Sequence, residues 1–151
     1  MKKHLIFALL FFQSIGYAEI YEIQALDFGT IAVIDNSSAA SMTIDKFGNT
    51  TVSAHLRIVS PPIPGHFLIN DLPPSTGISI NMSHNSNTMT PLSSSQEFFT
   101  FSLTDYTDYL VTDVNGEAEL LIGGTITTSG SGSLNFAQTD YRINYRVIFL
   151  Y

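Results

Sequence analysis

From Tyr141 to Tyr151 the chain alternates. Tyr141, Ile143, Tyr145, Val147, Phe149 and Tyr151 fall on one side of an extended strand, and Arg142, Asn144 and Arg146 on the other. Successive side chains of a strand point to opposite faces, so this period of two describes a strand with one face buried. Toward the end of the segment Ile148 and Leu150 make both faces apolar. No window after residue 18 sustains the i, i+3, i+4, i+7 apolar spacing of an amphipathic helix, whereas several repeat the period of two between Gly, Pro, Asn or Ser. The expected fold class is therefore all-β. Eight strands are predicted: Ile23 to Val33, Ser41 to Phe47, Thr51 to Ser60, His66 to Leu72, Gly77 to Met82, Glu97 to Leu103, Glu119 to Thr128 and Tyr141 to Tyr151.

Turn chemistry sets the boundaries. Phe47-Gly48-Asn49 is short and flexible, Pro61-Pro62-Ile63-Pro64-Gly65 cannot sit inside a ladder, and Asn115-Gly116 favours a tight hairpin. Ser83 to Gln96 and Ser129 to Ser133 read as polar connections. Short strands at this spacing predict a single immunoglobulin-like Greek-key β-sandwich. A small outer-membrane β-barrel is the competing architecture, because such barrels fit eight strands into a similar length and often end in an aromatic residue. Ser53, His55 and Arg57 share one face of Thr51 to Ser60 and would interrupt the lipid-facing band a barrel requires.

Met1 to Ala18 has the layout of a secretory signal: Lys2 and Lys3, an unbroken apolar run from Leu5 to Phe12, and the small-x-small site Gly16-Tyr17-Ala18. The run has eight residues, against about 20 for a bilayer-crossing helix, so no integral membrane segment is expected after cleavage. Residues 1–18 are thus expected to be a signal peptide and residues 19–151 the β-sandwich domain. Export would be to the periplasm or the cell surface.

Without the signal, 13 acidic residues face only Lys46, Arg57, Arg142 and Arg146, a formal charge of −9. Four scattered bases cannot neutralise a polyphosphate, so nucleic acid is not an expected partner. The chain has no Cys, which excludes disulfides, thiolate metal centres, a thiol nucleophile and a lipidated N-terminal Cys.

Catalytic chemistry leaves little trace. His55, His66 and His84 are the imidazole bases of residues 19–151, and no Gly-x-Ser-x-Gly elbow, His-x-His or His-Glu-x-x-His accompanies them. Gly130-Ser131-Gly132 precedes no predicted helix that would present its N-terminus to phosphate. No catalytic residue and no cofactor is expected. Asp113, Asn115, Glu117 and Glu119 gather hard oxygen ligands around a turn at a density suited to calcium, although without EF-hand spacing, and the same residues also describe a solvated Asn-Gly hairpin. Asp105-Tyr106-Thr107-Asp108-Tyr109 would add ligands, or tyrosines that stack on a sugar.

Two blocks and the closing strand carry a family resemblance: Leu26-Asp27-Phe28-Gly29-Thr30-Ile31, then Gly116 with Leu121-Ile122-Gly123-Gly124-Thr125-Ile126-Thr127, then Tyr141-x3-Tyr145-x-Val147. The chain resembles the bacterial exported domain of unknown function 4402, across essentially all of residues 19–151. That family is similar to spore-coat-U-type and pilin-like secreted sandwiches. The resemblance implies a structural, fimbrial-type surface subunit rather than an enzyme. Its partners would be a periplasmic chaperone or neighbouring subunits joined by strand addition, with Tyr141, Ile143, Tyr145, Val147, Phe149 and Tyr151 as the assembly strand. Glu19 to Ala25 is a candidate donor arm, although Ile20, Tyr21 and Ile23 do not share a face. A carbohydrate- or calcium-binding secreted module is the alternative function.

Overall fold

The computed structural model describes residues 17–84, 87–91 and 97–151. Most of the signal-peptide reading, residues 1–16, lies outside them, as do residues 85–86 and 92–96 of the Ser83 to Gln96 connection. The described residues form thirteen strands and no helix. These are β1 (Glu19–Gln24), β2 (Thr30–Val33), β3 (Ser41–Ile44), β4 (Thr50–Val52), β5 (Leu56–Ser60), β6 (Gly65–Asn70), β7 (Gly77–His84), β8 (Thr90–Pro91), β9 (Thr100–Tyr106), β10 (Tyr109–Val111), β11 (Ala118–Thr127), β12 (Tyr141–Arg142) and β13 (Tyr145–Leu150). All pairings are antiparallel.

The longest strand, β11, organises the molecule. Leu120 and Ile122 are fully buried and Ile126 nearly so. Its first half pairs with β6 and its second half with β3, along one edge, while β9 takes the opposite edge. The change of partner falls at Gly123. A Cβ there would run into the backbone of Ile44, Asp45 and Lys46, so only glycine lets the end of β3 come this close. The β9 ladder also shifts register between Gly123 and Gly124, the bend that the Gly-Gly pair suggests.

The resulting sheet runs β1-β6-β11-β3-β4, with β9 on the far side of β11. Two clusters cover its inner face. Ile69, Leu120 and Ile122 pack with Ile78 and Ile80 of the β10-β7-β13 sheet, joined by Met82, Tyr145, Val147 and Phe149. Met42, Ile44, Phe101 and Ile126 pack with Leu56, Ile58, Ile31 and Val33 of the β2-β5 pair, and with Tyr141 and Ile143. This is a β-sandwich, as the strand pattern predicts. Among the described residues the sheets are open, with free edges at β1, β4, β10 and β13, so the strands close no barrel.

Several predicted strands are broken. Ile23 to Val33 is two strands, because Asp27 exchanges backbone hydrogen bonds with Ile63 at 2.9 and 2.7 Å and its carboxylate accepts the Gly29 N–H at 2.8 Å. Gly29 then turns the chain at φ +69°, where a side chain would meet the Ser60 and Pro61 carbonyls. Phe28 is driven inward and meets Phe101 edge-on, with ring centroids 6.0 Å apart. Thr51 to Ser60 likewise divides, at a turn closed by Leu56 N–H donating to the Ser53 carbonyl at 3.0 Å.

The final strand divides at Ile143-Asn144, its first part pairing with β8 and its second with β7. The alternation survives the break: Tyr141, Ile143, Tyr145, Val147 and Phe149 turn inward, whereas Tyr151 is 57% exposed. Ser83 and His84 belong to β7 and Thr90–Pro91 forms β8, so Ser83 to Gln96 is not wholly a connection. β9 and β10 run into Asp105 to Tyr109 from either side, leaving Thr107 and Asp108 between the strands.

Candidate functional site

β1 and β13 are edge strands of opposite sheets. β1 pairs with β6 from Glu19↔Asn70 to Gln24↔His66, with a register shift between Glu22 and Gln24. β13 pairs with β7 from Tyr145↔His84 to Leu150↔Ser79. The other edge of each is unpaired among the described residues. Free strand edges present rows of N–H and C=O groups that template a further strand.

Between these edges lies a groove of about 550 Å³. Ile20 and Glu22 of β1 form one wall, and Tyr145, Val147 and Phe149 of β13 the other. Leu26 and Phe67 line it from between. Register explains the set: Ile20 opposes the fully buried Ile69, and Glu22 opposes Phe67, so both β1 side chains emerge on the inner face. Outside the groove, Tyr21 donates a hydrogen bond to the Glu19 carboxylate, which raises the Tyr21 pKa above that of an ordinary phenol.

The groove's lining is mixed: Ile20, Leu26, Phe67, Val147 and Phe149 supply apolar surface, and Glu22, Asn144 and Tyr145 are among the residues that supply polar surface. The Tyr145 hydroxyl is buried in the groove wall. Burial raises its pKa, the Leu26 backbone N–H acts in the opposite direction, and the negative charge of Glu22 adds to the rise. Glu22 itself has no cation within ion-pair distance among the described residues. Arg142 and Arg146 alternate onto the outer face, away from it.

The six candidate assembly residues thus separate. Tyr145, Val147 and Phe149 line the groove together with Ile143, whereas Tyr141 sits among Phe99 and Phe136 with centroids 5.1 and 6.4 Å away. The Glu19 to Ala25 arm is already hydrogen-bonded to its own β6, yet Ile20, Tyr21 and Ile23 remain 42%, 47% and 56% exposed.

The acidic turn serves its own backbone. Asp113 Oδ1 accepts the N–H groups of Asn115 at 2.8 Å and Glu117 at 2.9 Å, and Oδ2 accepts the Asn115 amide at 3.3 Å. Those bonds hold the Asp113 carboxyl below the usual carboxylate range. Glu119 is drawn instead toward His66, at 3.6 Å. Asp105 accepts the Lys46 backbone N–H at 3.0 Å and faces its ammonium at 3.6 Å. Among the described residues no group of three or more His, Asp or Glu side chains is placed to hold a metal ion. Tyr106 packs into the core cluster while Tyr109 lies exposed over Gly77, so the two offer no common stacking face.

The histidines are dispersed. His55 faces Asp35 at 3.6 Å on the surface, His66 lies in β6, and the His84 ring meets Phe101 edge-on at 5.9 Å.

Sequence reasoning missed one polar cluster. Asn36, 1% exposed, donates to the Ser129 and Ser131 hydroxyls at 3.1 and 3.2 Å and to the Ser133 carbonyl at 2.7 Å. Its own side-chain oxygen accepts the Gly130 N–H at 3.0 Å. Both serine hydroxyls also donate to the buried Glu97, lowering its pKa. The signal available was the Ser-Gly-Ser-Gly-Ser run itself, whose hydroxyls and amides need a polar anchor when the chain is held down.

Fold and groove together define an all-β sandwich open along one side between two strand edges. The chain belongs to the family described as Domain of unknown function (DUF4402), whose model matches residues 19–151. No curated protein and no solved structure matches it. Phe28-Gly29 and Gly123-Gly124, from the two blocks that suggested this family, are the points where β1 gives way to β2 and where β11 changes partners.

Proposed function

We propose that the protein is an exported, non-enzymatic structural subunit of fimbrial type, which accepts an extended strand from a neighbouring subunit or a periplasmic chaperone. The observation that carries this reading is the groove lying between the free edges of β1 and β13, with Ile20, Val147 and Phe149 in its walls. A strand seated there hydrogen-bonds to an exposed backbone edge and places alternate side chains against Val147, Phe149 and Ile20. The signal-like residues 1–18 support export, and a chain without Cys suits a role resting on sheet hydrogen bonds rather than disulfides. No helix among the described residues is long and apolar enough to cross a membrane. The calcium-binding alternative has less support, because Asp113 and Glu119 are engaged elsewhere.

The test places a photo-crosslinking amino acid at Val147 in cells that produce the protein, followed by peptide mapping of any adduct. The expected product joins Val147 to an alternating apolar segment of a second polypeptide, on a chain whose first residue is Glu19. Crosslinks confined to the chain itself, or a chain still beginning at Met1, overturn the reading.

A further inference from the structure

Glu22 is an acidic side chain on the inner face of an edge strand, opposite Phe67, and lines the groove beside Phe67, Val147 and Phe149. Solvent reaches it now. A strand filling the groove removes that solvent, and a carboxylate enclosed by apolar groups is costly unless a partner charge replaces the lost water. The neighbouring Tyr145 hydroxyl is buried in the wall of the same groove, so a second polar atom lies at the same place.

The bases of this chain do not meet the need: among the described residues none lies within ion-pair distance of Glu22, and Lys46 faces Asp105. A second copy's β1 does not either, since its side chains include Glu19 and Glu22 and no base. Like charges facing across a strand pair are destabilising, and inward charges on an edge are a known bar to unwanted pairing.

Resting on the strand-addition reading above, we infer that Glu22 selects the groove's occupant: an alternating apolar strand of a different protein carrying a lysine or arginine that meets the Glu22 carboxylate. The cation donates to the carboxylate and to the lone pairs of the Tyr145 phenol oxygen. Val147 and Phe149 supply apolar contact, and Glu22 supplies choice of partner and of register. The inward charge excludes self-pairing through β1 and admits a basic strand.

The experiment uses the chain expressed from Met1 and purified as the host processes it. Fluorescence anisotropy measures its affinity for three labelled alternating Val/Thr peptides, identical except for Lys, Gln or Glu at one inward position. The Lys peptide is expected to bind about tenfold more tightly than the Glu peptide. Glu22→Gln should erase that preference and Glu22→Lys should reverse it, with urea midpoints close to that of the unaltered protein establishing that each variant is folded. Equal affinity for all three peptides overturns the inference and leaves strand addition standing. Absence of binding by every peptide overturns both.

Discussion

Phe67 of β6 and Phe149 of β13 meet across the sandwich with ring centroids 6.3 Å apart and planes tilted by 57°. They tie the two edge regions together directly beside the groove, so the groove's width depends on this contact. Phe149→Ala should lower stability by about 3 kcal/mol, toward the low end for phenylalanine truncation because the ring is only partly buried. Urea unfolding measures the loss. A change below the resolution of the method would mean that the two rings do not hold the sheets together.

Gly123 and Gly124 are adjacent but should differ in their tolerance of a methyl group. At Gly123 the obstacle is the backbone of Ile44 to Lys46, all within 2.8 Å, whereas at Gly124 the nearest atoms are farther off: the Phe101 ring at 3.0 Å, and Leu26 Cδ2 and the Ser102 carbonyl oxygen at 3.2 Å. Gly123→Ala is expected to cost about 3 kcal/mol or more and Gly124→Ala about 1 kcal/mol. Thermal unfolding of the two variants side by side reads the difference, and equal costs would contradict the proximity of β3 at Gly123.

Acid should weaken the fold. Asp45, Asp113 and Glu97 accept hydrogen bonds that hold their folded pKa values below ordinary ones. The unfolded chain therefore binds more protons at low pH. The stabilisation is fully present above the unfolded values, near pH 4 to 4.5, and disappears as pH falls through the folded ones. Urea midpoints measured from neutral pH to pH 3 should hold steady at first and then fall. Glu97→Gln should flatten part of that fall, since an amide still accepts one serine hydroxyl and no longer titrates.

Calcium should leave the protein unchanged. The Asp113 carboxylate is committed to the amides of Asn115 and Glu117, and a cation would have to displace those bonds. Millimolar calcium is expected to give no shift in the urea midpoint and no binding heat by calorimetry. Asp113→Ala should lower the midpoint equally with and without calcium, as a turn residue would and a ligand would not.

The period of two in Tyr141 to Phe149 translated directly into inward and outward faces, because alternation is a property of each strand by itself. Where strands stop is harder to read, since the break at Asp27 is made by a backbone partner distant in sequence, Ile63, and the break at Ser53 by a turn without Gly or Pro, closed by Leu56. β10 escaped notice because three residues are too few for a pattern. The groove was half visible: the Tyr145 to Phe149 wall stands out in the sequence, but the β1 wall depends on a register that places Ile20 and Glu22 inward. Read alone, Ile20, Tyr21 and Ile23 show no common face, because Ile20 and Tyr21 alternate to opposite sides of the strand, and the register shift after Glu22 is not visible in the sequence.

The divided last strand also governs how the molecule comes together. Tyr141 and Ile143 join one hydrophobic cluster, while Tyr145, Val147 and Phe149 join the other, so residues 141–150 touch both. Ladders elsewhere are similarly remote, as when Gly124 pairs with Ile44. Closing such loops costs chain entropy before the contacts that reward it exist. Folding is accordingly expected in the millisecond-to-second range of high-contact-order β-proteins rather than the microseconds of helical bundles. Until residues 141–150 arrive, neither cluster has its full complement of contacts.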